Sequence, residues 1–275
     1  MISLIFKKRN HRNSGSEGCV RAPRLPHEES PISLCYQGPG PYTATVSPAS
    51  CRSNFFGWHA HENPFVKTIL EGSRTHSEST LSLFYKKYET ISVGDLFKIK
   101  ESRISSAPAM SAVMPWWRIT PEERLKSVAI ANKTGKHLGK EAIELGANPN
   151  NDYGWQYFGP TSNQVVEIEF SRQLKVYRSI KENGYKPNSH LSIHGEFLVA
   201  NERWCWINQG GKHRFNSLVA LGHDQITISA IGKYGPLVAR LEDAEHWPNV
   251  KNGTFTLDEA RGIFLRILTG RTLDV

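Results

Sequence analysis

The sequence predicts an α+β protein in which a mostly helical region precedes a compact α+β domain. Three observations predict this fold class. Residues 63–132 carry helix start signals and apolar residues at helical spacing. Residues 166–184 form a strongly amphipathic helical pattern that ends at Asn183-Gly184. Residues 196–241 show strand and helix patterns in the order strand, strand, helix, strand, which is typical of an α+β domain.

These patterns divide the chain into three segments. Residues 1–55 are expected to be an irregular, basic N-terminal segment because prolines and glycines interrupt them, although Ile32–Tyr36 alternates like a short strand. Residues 56–159 are expected to be mainly helical, and residues 160–275 to form the α+β domain. The boundary falls in an Asn-, Gly- and Pro-rich stretch at 148–160.

Composition excludes several classes of protein. The 275 residues are 39% hydrophobic and 22% charged, which is ordinary for a globular protein and excludes a collagen-like or fully disordered chain. No run approaches the roughly 18–20 apolar residues that a membrane-spanning helix needs. The first residues place apolar side chains before basic ones, the reverse of a secretory signal. We therefore expect a cytoplasmic protein with reduced cysteines.

The net charge of +8 invites nucleic-acid binding, but its distribution is uneven. Residues 1–55 hold 7 Lys and Arg against 3 Asp and Glu, so their net charge of 7 − 3 = +4 is half of the total. Most of this positive charge comes from Lys7, Lys8, Arg9 and Arg12. Two interpretations stay open: a solvated basic tail, or a tail that binds nucleic acid weakly.

The helical region has clear boundaries. Asn63-Pro64 is an N-cap followed by proline at the first helical position, and Gly72 ends that short helix. Thr120-Pro121-Glu122-Glu123 is a capping box that opens a second helix. Between them, Trp116 and Trp117 either plug a gap between helices or line a binding cleft.

The predicted elements of the last third follow one another with short connections. They are strands at Glu196–Val199 and Trp204–Asn208 around an Asn201-Glu202 turn, a helix over Arg214–Leu221 that starts near Lys212, strands at Gln225–Ala230 and Pro236–Leu241, and a final helix opened by a capping box at Thr256–Glu259.

The segment from Gln209 to Arg214, Gln-Gly-Gly-Lys-His-Arg, lies between a predicted strand and a predicted helix. Gly210 and Gly211 allow a ligand close to the backbone, and the first amides of the helix are unpaired and partly positive. Lys212 and Arg214 add full charges, and His213 can donate a proton or a hydrogen bond. The segment predicts an anion-binding cradle.

The stretch Trp204–Gly222, W-C-W-I-N-Q-G-G-K-H-R-F-N-S-L-V-A-L-G, resembles the ParB/sulfiredoxin-like superfamily. Its members share a strand ending in G-x-H-R or G-x-x-R, then a helix closing on L-G. The resemblance implies binding of a nucleoside tri- or diphosphate, with Gly211, His213 and Arg214 contacting phosphate. It covers about 40 residues closely.

Departures from the family pattern narrow the expected activity. Lys212 stands where sulfiredoxin has its reactive cysteine, and the helix-turn-helix module of the partitioning proteins is not predicted. Glu196 is the nearest candidate base, and it shares a face with His194, two residues before it, if the strand includes both residues. Asp243 and Glu245 are candidate Mg²⁺ ligands.

The resulting expectation is a nucleotide-dependent phosphotransferase. Lys212, His213 and Glu196 would carry catalysis, and the helical region, with Trp116, Trp117 and Trp155, would supply the acceptor pocket. A distant similarity to bacterial proteins that accompany surface-polysaccharide genes suggests a polysaccharide precursor or another small molecule as acceptor. Two alternatives stay open: a DNA-binding or nuclease protein of the same superfamily, and a nucleotide sensor without turnover.

Overall fold

The computed structural model describes residues 32–33, 42–133, 157–186, 193–232 and 234–274. Within these residues the chain has a mixed α+β fold, as predicted. A six-stranded sheet has the strand order β1-β5-β3-β4-β2, with β6 also paired to β3. The strands are β1 (Tyr42–Val46), β2 (Cys51–Ser53), β3 (His194–Ala200), β4 (Arg203–Gly210), β5 (Ile226–Ala230) and β6 (Val238–Arg240).

The helices for which the sequence gives signals begin and end close to those signals. The described helices are α1 (Pro64–Leu70), α2 (Thr80–Lys87), α3 (Val93–Phe97), α4 (Pro121–Lys133), α5 (Asn163–Asn183), α6 (Lys212–Ala220), α7 (Pro248–Lys251) and α8 (Leu257–Thr269). The Asn63 side chain accepts a hydrogen bond from the Phe65 amide at 3.0 Å. In the predicted capping box, the Glu123 amide donates to the Thr120 hydroxyl at 3.2 Å and the Thr120 amide donates to the Glu123 carboxylate at 2.8 Å.

The antiparallel hairpin of β3 and β4 is the predicted one, with longer strands. Its pairs run from His194 with Gly210 to Ala200 with Arg203. The turn residue Asn201 has a φ of 52°, a left-handed conformation that asparagine tolerates better than most residues. The hairpin delivers the end of β4 directly to the start of α6.

Residues 42–53 differ from the expected irregular segment. β1 pairs with β5 in antiparallel fashion and β2 pairs with β4 in parallel fashion, so both are edge strands of the central sheet. The strands are short and pair only with strands more than 150 residues away in sequence, which local pattern reading does not detect. The predicted strand at Ile32–Tyr36 lies mostly outside the described residues. Ile32, which is described, lies in a turn.

Two apolar clusters lie on the two faces of the sheet. One face of the β3–β4 hairpin, including Leu198 and Ile207, packs with α2, α8 and the Trp116-Trp117 pair. The other face, including Phe197 and Trp206, packs with α1 and α6. α5 contributes side chains to both clusters and therefore connects them. In the part of the chain that is described, no helix has the length and apolar character needed to cross a bilayer.

Candidate functional site

The end of β4 and the start of α6 have the local structure that the sequence predicts for the cradle. Gly211 is the N-cap of α6 with a φ of 71°, a left-handed conformation that favours glycine. Its carbonyl accepts the first helical hydrogen bond, from the Phe215 amide at 3.0 Å. The amides of Lys212, His213 and Arg214 therefore form the first turn, where no intrahelical acceptor exists.

Gly210 has a different role from the expected one. A Cβ built at Gly210 would lie 2.0 Å from Cε1 of His194, its partner in the β3–β4 register. The missing side chain therefore makes room for the His194 imidazole rather than for a ligand. The consequence is that a second histidine lies at the cradle.

A cavity of about 610 Å³ lies at the edge of the sheet where the parallel strands β2 and β4 both end. The turn after β2, the start of α1, part of α5 and the first turn of α6 surround it. Its lining includes every residue from Gln209 to Arg214. The predicted cradle residues are thus brought together on one cavity, whose volume is ordinary for a small-molecule site.

Positive charge is concentrated at this cavity. Lys212, Arg214 and Arg52 all line it. The Lys212 ammonium lies 3.9 Å from the centre of the Tyr157 ring, within the range of a cation–π contact. One guanidinium nitrogen of Arg52 donates to the carbonyls of Ala49 and Cys51 at 2.8 and 2.9 Å, which fixes Arg52 against β2.

Aromatic side chains form the apolar wall of the cavity. Phe65 and Tyr157 are half-buried, and Phe55, Phe56 and Trp58 are buried behind them. Phe55 has a φ of 64°, an uncommon conformation for a bulky residue. Strained residues of this kind concentrate at functional sites. The wall offers flat surfaces next to the cationic end.

His213 is held from below by a buried carboxylate. Nε2 of His213 lies 3.1 Å from Oε2 of Glu169, and Arg172 Nη1 donates to Oε1 of the same carboxylate at 3.0 Å. Burial alone would raise the pKa of Glu169, but the hydrogen bond and charge of His213, together with Arg172, hold that pKa below its ordinary value. Glu169 is therefore ionised at neutral pH although its side chain is only 3% exposed.

Gln173, one turn further along α5, fixes the backbone of α6. Its amide nitrogen donates to the His213 carbonyl at 3.0 Å and to the Ser217 hydroxyl at 2.9 Å. The Ser217 hydroxyl donates to the same carbonyl at 2.8 Å. This network sets the position of His213 independently of the Glu169 contact.

One buried polar group of the cavity lacks a partner. Asn208, only 5% exposed, lines the cavity, and its Oδ1 has no hydrogen-bond partner among the described residues. Buried polar groups normally have partners, so this amide is a place where a ligand can bind.

Glu196 lies apart from this cavity. It is fully buried, and the indole N–H groups of Trp116 and Trp117 donate to its Oε1 at 2.7 and 2.9 Å. Burial raises its pKa to about 7, although these hydrogen bonds act to lower it. It is not among the residues that line the cavity. This position does not suit a base that contacts a ligand in the cavity.

The two tryptophans plug the interior next to β3 rather than lining the cavity. Trp155, the third expected member of the acceptor pocket, lies outside the described residues. An acceptor pocket formed by Trp116 and Trp117 therefore has no support from the cavity geometry.

The candidate Mg²⁺ ligands are also apart from the cavity. Asp243 and Glu245 are exposed on a 3₁₀ helix, Leu241–His246, where residues two apart point in different directions. The Glu245 carboxylate pairs with a histidine, with its Oε1 at 3.4 Å from Nε2 of His246. The described residues contain no group of three or more His, Cys, Asp or Glu side chains that could hold a metal ion. These two residues do not fit the predicted Mg²⁺ site.

Comparison of the chain with protein-family models, curated proteins and solved structures gave no match. The ParB/sulfiredoxin-like resemblance thus stays a prediction from the motif. The basic residues before position 13, on which nucleic-acid binding depends, lie outside the described residues. The geometry of the cavity is the feature of this protein that bears on its function.

Sequence reasoning missed Glu169, Arg52 and Asn208. A signal existed for Glu169, because it lies beside Phe170 on the apolar face of the α5 pattern, where a carboxylate is unexpected. No signal existed for Arg52, since only the pairing of β2 with β4 brings it to the cradle.

Proposed function

We propose that the protein binds a nucleoside di- or triphosphate in this cavity and is a nucleotide-dependent phosphotransferase. The observation that carries the proposal is the convergence of residues 210–214, Arg52 and an aromatic wall on one cavity. The acceptor in this proposal is a small molecule or a surface-polysaccharide precursor, and this part rests on the motif resemblance alone.

The phosphate groups would lie at the N-terminus of α6. This helix has nine residues, and its first amides carry partial positive charge. Lys212 supplies a point charge, and Arg214 can bind two phosphate oxygens at once through its planar guanidinium. Arg214 is half-buried and lines the cavity, so its guanidinium is within reach of a ligand there.

The rest of the nucleotide would lie against the aromatic wall. Phe65 and Tyr157 line the cavity, and stacking on aromatic side chains is tolerant of base identity. Lys212 covers one face of the Tyr157 ring, so a base would stack on Phe65 or on the other face of Tyr157. Asn208 Oδ1 would accept a hydrogen bond from an amino or hydroxyl group of the ligand. Binding would thus satisfy a buried oxygen that lacks a partner among the described residues.

Titration calorimetry with ATP, ADP, CTP and GTP in the presence of Mg²⁺ tests the proposal. We expect at least one nucleotide to bind, and Arg214→Ala to weaken that binding roughly ten- to a hundredfold, because a charge-assisted bidentate contact contributes about 1.5–3 kcal/mol. The melting temperature of Arg214→Ala should stay close to that of the wild type.

Arg261→Ala is the matched control. Arg261 is exposed on α8 and does not line the cavity, so its replacement removes the same charge without touching the site. Equal nucleotide affinity in both variants would contradict the site, and a wild-type protein that binds none of the four nucleotides would contradict the function. Binding without any turnover would support a nucleotide sensor instead.

A further inference from the structure

We propose that His213, positioned by Glu169, is the proton acceptor of the cavity, where it takes the proton of an alcohol acceptor during phosphoryl transfer. This inference rests on the proposed function and assigns the role expected of Glu196 to a different pair of residues.

The pair has one buried end and one end at the cavity. The Glu169 side chain is 3% exposed, and both of its oxygens are engaged, by His213 at 3.1 Å and by Arg172 at 3.0 Å. The His213 side chain is 30% exposed and lines the cavity. A buried carboxylate that holds an accessible imidazole is the arrangement that orients a histidine base and stabilises its protonated form.

The contact with Glu169 also selects the reactive nitrogen. An ionised carboxylate only accepts hydrogen bonds, so Nε2 of His213 must carry the proton that it donates to Glu169. In the neutral ring, Nδ1 is then the acceptor nitrogen. Among the described residues, none forms a hydrogen bond with Nδ1.

Neighbouring elements hold the ring in place. The Phe65 ring of α1 packs edge-on to the imidazole, with ring centres 5.6 Å apart. Gln173 of α5 binds the carbonyl of the same residue at 3.0 Å. A base must be placed within hydrogen-bond reach of the proton it removes, so this fixed orientation favours a chemical role.

The charged and titratable groups around the pair come from several elements. They are Arg172 on α5, Tyr85 on α2, Lys212 and Arg214 on α6, Tyr157 before α5, and Arg52 and His194 at the sheet edge. Cations exceed anions in this set, so an anionic ligand is favoured beside His213. Glu169 is the only carboxylate among the described residues that line the cavity.

The proposed step balances as follows. The O–H bond of the alcohol breaks and its proton moves to Nδ1 of His213. The oxygen lone pair forms a bond to the terminal phosphorus of the bound nucleoside triphosphate. The bond from that phosphorus to the bridging oxygen breaks, and its electron pair leaves with the nucleoside diphosphate. The products are a phosphate monoester, a nucleoside diphosphate and a proton that His213 later releases.

The test uses the full chain with MgATP, and with glycerol as a simple alcohol, followed by ³¹P NMR and ADP release. We expect His213→Gln to lower kcat roughly 10²- to 10⁴-fold while calorimetric ATP affinity falls less than tenfold. Glu169→Gln should lower kcat with little change in KM, because a neutral amide neither fixes the Nε2–H tautomer of His213 nor balances the charge that the imidazole gains in the step. Glu169→Asp should restore part of the rate.

Glu167→Gln is the matched control, since Glu167 is exposed on the same helix. It should leave kcat and KM unchanged. The ¹⁵N chemical shifts of the His213 ring nitrogens give a readout that does not need turnover: the wild-type ring should carry its proton on Nε2, and Glu169→Gln should no longer hold this single tautomer. If Glu169→Gln does not fold, the rate of His213→Gln and the tautomer of the wild-type ring still decide.

The outcomes separate this inference from the proposed function. A wild-type kcat in Glu169→Gln, or a wild-type His213 ring that carries its proton on Nδ1, would overturn the pair, and so would ATP binding by the wild type without release of ADP. In these cases the binding function stands. Failure of the wild type to bind any nucleotide would overturn both proposals.

Discussion

At the scale of single residues, Glu196 is the most unusual charge in the described part of the chain. It is fully buried and accepts two indole N–H groups on one oxygen, and the Gln209 side chain is a further hydrogen-bonding neighbour that lowers its pKa. Burial raises its pKa to about 7 from an ordinary 4.5. Since the ionised form is costly in this environment, the folded protein holds Glu196 protonated over much of the acidic range.

Glu196 should make stability fall as pH rises towards neutrality. Between pH 4.5 and about 7 the unfolded chain ionises this carboxyl while the folded protein does not, so the free energy of unfolding decreases with pH in that window. Its contribution is fully present below pH 4.5 and lost above about 7, and amounts to about 3 kcal/mol. Glu196→Gln should therefore match wild type near pH 4.5 and be more stable by about 1–3 kcal/mol at pH 8.

Urea unfolding at intervals between pH 4.5 and 8 measures this difference. Glu202→Gln, in the exposed turn of the same hairpin, is the control and should follow the wild-type curve. Parallel curves for wild type and Glu196→Gln would show that folding does not raise the pKa of the Glu196 carboxyl.

At the scale of elements, Glu259 joins the start of α8 to the chain after α3. Its Oε1 accepts the amides of Lys100 and Glu101, both at 2.8 Å, and its Oε2 accepts the Ser102 hydroxyl. The Thr256 hydroxyl caps the Glu259 amide at 3.3 Å, so only half of the predicted capping box is formed within the helix. The carboxylate instead satisfies amides of another segment.

Glu259→Ala should destabilise the protein by about 2–3 kcal/mol, because hydrogen bonds to a charged group contribute about 1.5–3 kcal/mol and the two amides would lose their acceptor. Asp258→Ala, at the exposed neighbouring position, should cost only about 0.3–1 kcal/mol through the helix dipole. Thermal and urea unfolding at pH 7 compare the two variants. Equal losses would mean that Glu259 acts only through the helix dipole.

At the scale of the whole molecule, the sheet draws strands from both ends of the described chain. β1 pairs with β5 over five residue pairs, and β2 pairs with the end of β4 that leads into the cradle. The apolar cluster on one sheet face contains residues from Phe55 to Leu273. Cutting the chain at the predicted boundaries, after residues 55 and 159, would therefore divide both the sheet and its apolar core.

A fragment of residues 160–275 should not fold as the full chain does. It would lack both edge strands of the sheet and the Trp116 and Trp117 donors to Glu196, which would leave a buried carboxyl without its hydrogen bonds. We expect narrow amide dispersion in its ¹H–¹⁵N spectrum, beside a well-dispersed full chain. A dispersed spectrum for the fragment would instead support the domain boundary read from the sequence.

Elements whose signals are local could be predicted from the amino-acid sequence. Helix ends are set by hydrogen bonds between residues close in sequence, as at Asn63-Pro64, the capping box at Thr120 and the glycine after α5. Such ends can be predicted without knowing the fold. The hairpin and the change from β4 to α6 also depend on neighbouring residues and could be predicted in the same way. These signals also placed residues 210–214 correctly between a strand and a helix.

The neighbours of those residues could not be predicted, because they come from distant segments of the chain that the fold packs together. Glu169 reaches His213 because α5 packs on α6, and Arg52 reaches the cavity because β2 lies parallel to β4. His194 and Glu196 are two residues apart, but the pairing of β3 with β4 shifts register between His194 and Gly195. Of these two residues only His194 lines the cavity, and Trp116 and Trp117 enclose Glu196. Contacts between segments far apart in sequence depend on packing, and packing leaves no periodic or capping signal in the segments themselves.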